Sequence, residues 1–346
     1  MSSLAKAEGE SGDGASSSPL FEGFPLKKSG SGSIGPKRNK VVVRVPATSA
    51  NMGPGFDCLG MAVDIWNEVS VTRADKFSLE NSGVDSEHIP CEIDPVTGES
   101  PNVLVKALKR AFEYAGDEPC PPLKIESRIN IPCCSGFGSS SAVIVGGLVA
   151  GLVLAGKEVN VEAKGGQNRV NEELLQIANE IEGHADNVAP AIYGGIQLCN
   201  DLVDGGPQKV MSRRIPCPDG MRLVVYVPGP TARFKSGKDK TQAMRSLLQP
   251  TLSRSDAVFN IQRCALLIDS LHRGDLSYLR IACDDRLHQP IRAEKAFPHL
   301  NPLIHAAIDA GAHGCFLSGA GPTVMAICSG AKGDVSDTTR IKVGST

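Results

Sequence analysis

The chain has 346 residues, with 36 Lys and Arg against 38 Asp and Glu, for a formal net charge of −2. That balance gives no bulk attraction to nucleic acid or to a membrane surface, and 4% aromatic residues leave little surface for base stacking. The 11 cysteines are scattered and form no CxxC pair, which fits buried thiols in a reducing compartment better than a disulfide framework or a zinc site.

Residues 1–40 carry SGDGASSS, KKSGSGSIG and PKRNK, rich in Ser, Gly and charge and poor in apolar residues. Such a segment cannot support a core, and a disordered N-terminal tail is expected. It has no apolar signal-peptide core, and Glu8, Glu10 and Asp13 fit a transit peptide poorly. A cytoplasmic protein is expected, with a plastid the alternative if the tail is a transit peptide.

Val41–Val45 reads as a strand, Pro46–Asp57 (PATSANMGPGFD) as a loop and Ala62–Thr72 as a second strand. Asn102–Ala115 puts Val103, Leu104, Ala107, Leu108, Ala111 and Phe112 on one helical face. A β-rich segment, Leu123–Ile131, stops at Pro132, and the loop Cys133–Ser141 follows. The apolar run Ala142–Gly156 then reads as a buried helix, since its 15 residues fall short of the ~20 that cross a bilayer. Glu172–Ile181 is a further helix. Glu182–Asn187 (EGHADN) is a polar loop before the small residues Val188–Gly195, and Ile196–Cys199 is a strand. A boundary is expected at Asp201–Gln208, dividing the folded chain into lobes at 41–205 and 206–346. Beyond it, Arg222–Val227 reads as a strand, and Ser255–Leu271 and Pro302–Ala310 as helices. Gly314–Leu317, the turn Ser318–Pro322 and Thr323–Cys328 form a strand–turn–strand. Strands and helices mix without strict βαβ alternation, so the class is α+β.

The stretch Ile131–Ala142, IPCCSGFGSSSA, carries the chemistry. Gly136 and Gly138 open backbone conformations closed to other residues. The free N–H groups of the following helix, with its dipole, favour an anion there. Strand, glycine loop, serines and helix together read as a phosphate cradle. A dinucleotide fingerprint fits less well, because Ser141 replaces its third glycine and Glu158 lies just past the helix. The pattern GxxxxGK[ST] is absent from this region.

Three further segments flank it in order: PATSANMGPGFD (46–57), EGHADNVAPAIYGG (182–195) and LSGAGPT (317–323). The set resembles the GHMP kinases over about 41–328, and the first two segments look like the branch that acts on homoserine. The resemblance implies a ribosomal-protein-S5-like N-terminal lobe, a ferredoxin-like C-terminal lobe and an active site between them. It implies transfer of the ATP γ-phosphate to the hydroxyl of L-homoserine, in threonine biosynthesis. By the motif, Pro132, Ser135, Gly136, Phe137, Gly138, Ser139, Ser140 and Ser141 wrap the phosphates, and Asn102 lies on the adenine side. Ser140 and one carboxylate, Glu182 or Glu180, serve Mg²⁺. Asn51, Asp57 and Asn187 surround the amino acid, Arg245 and Arg292 hold its carboxylate, and Gly319 and Gly321 close the site. Sister kinases have an aspartate where Asn187 stands. Asn187 cannot accept a proton, so catalysis by positioning is implied. A homodimer acting without nucleic acid or membrane is expected. Only 18 residues follow Cys328, where the family has a further helix and strand. An open sheet edge is therefore expected in the second lobe.

Overall fold

The computed structural model describes residues 38–116, 119–157, 159, 172–202, 209–233 and 240–329. The expected tail, apart from residues 38–40, and the expectation about the end of the chain lie outside them.

β1 (Lys40–Asn51) and β2 (Gly55–Arg73) form a long antiparallel hairpin. The segment expected as a loop from Pro46 is instead strand as far as Asn51. Register shifts at Pro46/Ala47 and Ala50/Asn51 make this possible. Proline has no N–H to give the ladder, and a bulge is where a strand tolerates it. β3 (Ser78–Gly83) and β4 (Leu123–Ile129) pair in parallel, joined by a crossover that holds α1 (Val103–Ala115). Next come α2 (Ser139–Leu154), α3 (Glu172–Glu182), α4 (Ala185–Tyr193), β5 (Ile196–Asp201) and β6 (Val210–Ile215). α4 was expected as a polar loop and a run of small residues. Its apolar face, Val188, Ala189 and Ile192, is buried and drives helix formation despite Pro190.

The six-stranded sheet runs β3-β4-β2-β5-β6, with β1 on the opposite edge of β2. β6 is hydrogen-bonded to β5, so the boundary expected at 205/206 falls between two strands of one sheet. The remaining elements are β7 (Arg222–Tyr226), α5 (Pro230–Arg233), α6 (Lys240–Ser246), α7 (Arg254–Arg273), α8 (Leu279–Ala282), α9 (Gln289–Lys295), α10 (Leu300–Asp309), β8 (Gly314–Leu317) and β9 (Val324–Cys328). The second sheet is antiparallel in the order β7-β9-β8, with every residue of β9 buried.

α2 is apolar nearly all round because α1 covers one side and the sheet another. Its glycines let α1 touch it: a Cβ on Gly147 would lie 2.8 Å, and one on Gly151 2.6 Å, from the Cβ atoms of Ala107 and Ala111. One continuous core joins α2 and α4 to Leu267 and Leu271 of α7 and to Phe316, Met325 and Ile327 of the second sheet. The two sheets are thus anchored to each other. Among the described residues no helix is long and apolar enough to cross a membrane.

Candidate active site

The glycine-rich loop is tied at both ends. Ser135 Oγ donates to the Pro132 carbonyl (2.7 Å) and accepts from the Phe137 N–H (3.3 Å). The Phe137 ring is buried in the main core, and its carbonyl accepts from the Thr48 N–H at 3.0 Å, docking the loop on β1. Gly136 has φ +93° and Gly138 φ +60°. A Cβ on Gly136 would collide with the Ser318 carbonyl, and one on Gly138 with Thr48 Oγ1 and Asn187 Oδ1. Glycine is required at both points. Gly138 caps α2 without a side chain, so the first-turn N–H groups of Ser139, Ser140 and Ser141 have no helical acceptor and sit at the positive end of the dipole.

Across this turn lies the end of α3. Ser140 Oγ donates to Glu182 Oε2 (2.9 Å) and Ser141 Oγ to Glu182 Oε1 (2.7 Å). Glu180 points elsewhere: it pairs with Arg110 at 3.3 Å and is 42% exposed. Of the two carboxylates, it is Glu182 that hydrogen-bonds the loop serines. A hydroxyl and one carboxylate suit a divalent cation that keeps several waters and phosphate oxygens, as Mg²⁺ does. Among the described residues no cluster of three or more His, Cys, Asp or Glu could cage a metal alone.

A second group of charges gathers around Phe56. Arg245, on α6, makes a bidentate pair with Asp57 (2.8 and 2.5 Å). Its guanidinium lies 5.2 Å from the Phe56 ring centroid, and that of Arg292, on α9, lies 5.6 Å from it. Arg292 is 2% exposed and donates to His288 Nδ1 (3.1 Å) and to the Gly319 carbonyl (3.0 Å). Burial, aided by repulsion from Arg245, lowers its pKa to about 10. Burial also lowers the His288 pKa. A neutral ring whose Nε2–H donates to the Gly53 carbonyl (2.8 Å) leaves Nδ1 to accept from Arg292. Asn51 receives the Asp57 N–H (3.1 Å) and donates to the Gly319 carbonyl (3.0 Å). Gly319 N–H in turn reaches the Ala50 carbonyl (3.1 Å). Two elements distant in the chain are thereby joined at one place.

Asn187 lies beside the glycine-rich loop. Its Oδ1 accepts from Thr48 Oγ1 at 2.8 Å, beside Gly138. Its neighbour Asp186 is 3% exposed, and burial, with the Asp57 charge second, pushes its pKa up to about 7. His184 is held below its usual pKa by burial and then by Arg245. Gly321 has φ +80°, and a Cβ there would meet the Phe297 ring. Lys240 Nζ donates to the carbonyls of Cys134 (2.5 Å) and Gly321 (2.8 Å), which joins the glycine-rich loop to the 317–323 turn. Arg233 makes a buried pair with Asp85 and also donates to the Cys133 carbonyl at 3.1 Å.

Asn102 has local partners. Its Oδ1 accepts from the Leu104 N–H (2.8 Å) and its Nδ2 donates to the Pro90 carbonyl (2.7 Å). The amide caps α1 and ties down the preceding loop, so its polar atoms are already engaged. Sequence reasoning missed Thr48, Phe56, Asp85, Asp186, Arg233, Lys240 and His288. Asp186 had a signal, since it stands inside the EGHADN segment. Thr48 and Phe56 had the same signal, standing inside PATSANMGPGFD, whereas Asp85, Arg233, Lys240 and His288 each join a partner 106 or more positions away, which no local pattern marks.

Comparison with known proteins bears on this arrangement. Residues 102–195 match the GHMP kinases N terminal domain family, and residues 267–336 the GHMP kinases C terminal family. A homoserine kinase from Desulfitobacterium hafniense is 39% identical over 289 residues, covering 84% of this chain and 87% of that protein. The chain belongs to the GHMP kinase family, in its homoserine kinase group. It is therefore a phosphotransferase that uses ATP. A second homoserine kinase, from Thermosynechococcus vestitus, is 36% identical over 288 residues, covering 83% of this GHMP kinase and 85% of that protein. The fold is similar to the crystal structure of homoserine kinase from Cytophaga hutchinsonii, at TM-score 0.71 and 28% identity, covering 89% of this chain and 90% of that one. It also matches L. major mevalonate kinase in complex with R-mevalonate, at TM-score 0.59 and 15% identity over 89% and 93% of the two chains, a likeness of fold alone.

Proposed function

We propose that this GHMP kinase transfers the γ-phosphate of ATP to the side-chain hydroxyl of L-homoserine. The observation that carries this reading is the meeting of Arg245, Arg292 and Asp57 at Phe56. Guanidiniums grip a carboxylate, and a carboxylate suits an ammonium. An amino-acid alcohol offers both charges and a hydroxyl to accept the phosphoryl group.

The Ser135–Ser141 loop holds the phosphates through its backbone N–H groups and the helix dipole. Ser140 and Glu182 would hold Mg²⁺, which would neutralise charge on the phosphates. Thr48 fixes the Asn187 side chain, and Asn187 orients the acceptor hydroxyl. That oxygen attacks the γ-phosphorus, its bond to phosphorus forms as the bond to the ADP oxygen breaks, and its proton leaves to phosphate or water. The protein's contribution is positioning and charge stabilisation, which is most of what phosphoryl transfer needs. Gly319 and Gly321 close the site from the second lobe. The enzyme works as a homodimer on two small molecules in the cytoplasm, without nucleic acid or membrane.

The test is product analysis. ATP, Mg²⁺ and L-homoserine with purified enzyme yield O-phospho-L-homoserine, read by ³¹P NMR. ATP consumption without a new phosphomonoester signal overturns the reading.

A further inference from the structure

Asp57 and Arg245, the groups that the proposed function assigns to the substrate's ammonium and carboxylate, are here bonded to each other. The pair is bidentate, at 2.8 and 2.5 Å, with side chains 38% and 29% exposed. Asp57 is held in place by an unusual backbone, φ +59°, and by its N–H bond to Asn51. Arg245 lies against Phe56, the same ring that Arg292 and His288 approach.

We propose that the Asp57–Arg245 ion pair sets substrate specificity: it stands in for the two charges of the amino acid and yields only to a ligand that carries both. An incoming zwitterion breaks one ion pair and makes two. A ligand with a carboxylate alone takes Arg245 and leaves Asp57 unpaired beside a like charge. A ligand with an ammonium alone takes Asp57 and leaves Arg245 facing Arg292 across one ring. Each half-ligand loses its own missing contact and also strands a protein charge. The inference rests on the homoserine reading and adds what the Asp57–Arg245 pairing does to selectivity.

It makes an unusual demand, that removing a substrate-binding carboxylate should improve a poor ligand. The probe is 4-hydroxybutyrate, which is homoserine without its ammonium. Its inhibition constant against L-homoserine is measured for the wild type, Asp57→Asn and Asp57→Gly. Asparagine and glycine both accept the left-handed backbone at this position. Both variants should bind homoserine more weakly. Both should bind 4-hydroxybutyrate more tightly, by about 5-fold, which is the release expected for a partly exposed ion pair. If folded variants, checked by circular dichroism, bind 4-hydroxybutyrate no better than the wild type, the proposal is overturned. Wild-type turnover of L-homoserine in the same experiment tests the underlying reading separately. Its absence sinks that reading, whereas intact turnover with unimproved 4-hydroxybutyrate binding sinks only the specificity role.

Discussion

Asp186 offers a test of the site's electrostatics that does not depend on knowing the substrate. Its carboxyl is 3% exposed and accepts one long hydrogen bond, 3.4 Å, from Asn187. Burial and then the Asp57 charge raise its pKa from 3.8 to about 7. In the unfolded chain it ionises near pH 4, and in the folded protein near pH 7. Between those values the unfolded state has lost a proton that the folded state keeps, so this residue's contribution to stability falls as pH rises and levels off above 7. From pH 5 to pH 7 the fall is about 2–3 kcal/mol, at 1.36 kcal/mol per tenfold change in proton activity. Asp186→Asn removes the titration while keeping the shape. The stability of the variant relative to wild type should therefore be about 2–3 kcal/mol more favourable at pH 8 than at pH 5, measured by urea denaturation at both. An equal difference at the two pH values would show that the carboxyl does not titrate in this range, and would refute the argument.

Glu182→Gln should cut kcat about 100-fold, as loss of one transition-state contact does. Glu180→Gln should change it by less than about 2-fold, because that side chain is an exposed partner of Arg110. Arg292→Lys should raise the homoserine KM about 30-fold, the worth of a charge-assisted hydrogen bond, and leave the ATP KM within about 2-fold, and steady-state kinetics in both substrates separates the two. Gly151→Val should destabilise the fold by about 1–3 kcal/mol in thermal or urea unfolding, because its Cβ would lie 2.6 Å from that of Ala111.

The glycine-rich turn into α2 was legible because its signal is local: the end of β4 at Ile129, Gly136, Gly138 and Ser139–Ser141 all lie within residues 129–141. α1, α2 and α7 were legible for a related reason, since apolar spacing or a long apolar run reports a buried helix directly. β3 was not, because SLENSG has few strand-forming residues and owes its place to a parallel partner, β4. The extension of β1 past Pro46 was hidden by a proline and turn-like residues that two register shifts accommodate. Short helices such as α6 and α9 left no periodic trace, yet they carry Arg245 and Arg292. Those arginines entered through resemblance, since their partners are remote: Asp57 and Arg245 are 188 positions apart, and Thr48 and Asn187 are 139 apart. Asn102 was noticed through the resemblance, and the structure shows its amide capping α1 and tying down the preceding loop.

The most direct test is acceptor choice. Purified full-length enzyme is given Mg-ATP with L-homoserine, mevalonate or galactose, and ADP release is followed by a coupled assay. Two arginines and Asp57 at one ring predict a kcat/KM for L-homoserine at least about 100-fold above either of the others, since neither pairs an ammonium with a carboxylate. Equal or faster ADP release with mevalonate or galactose would contradict the assignment.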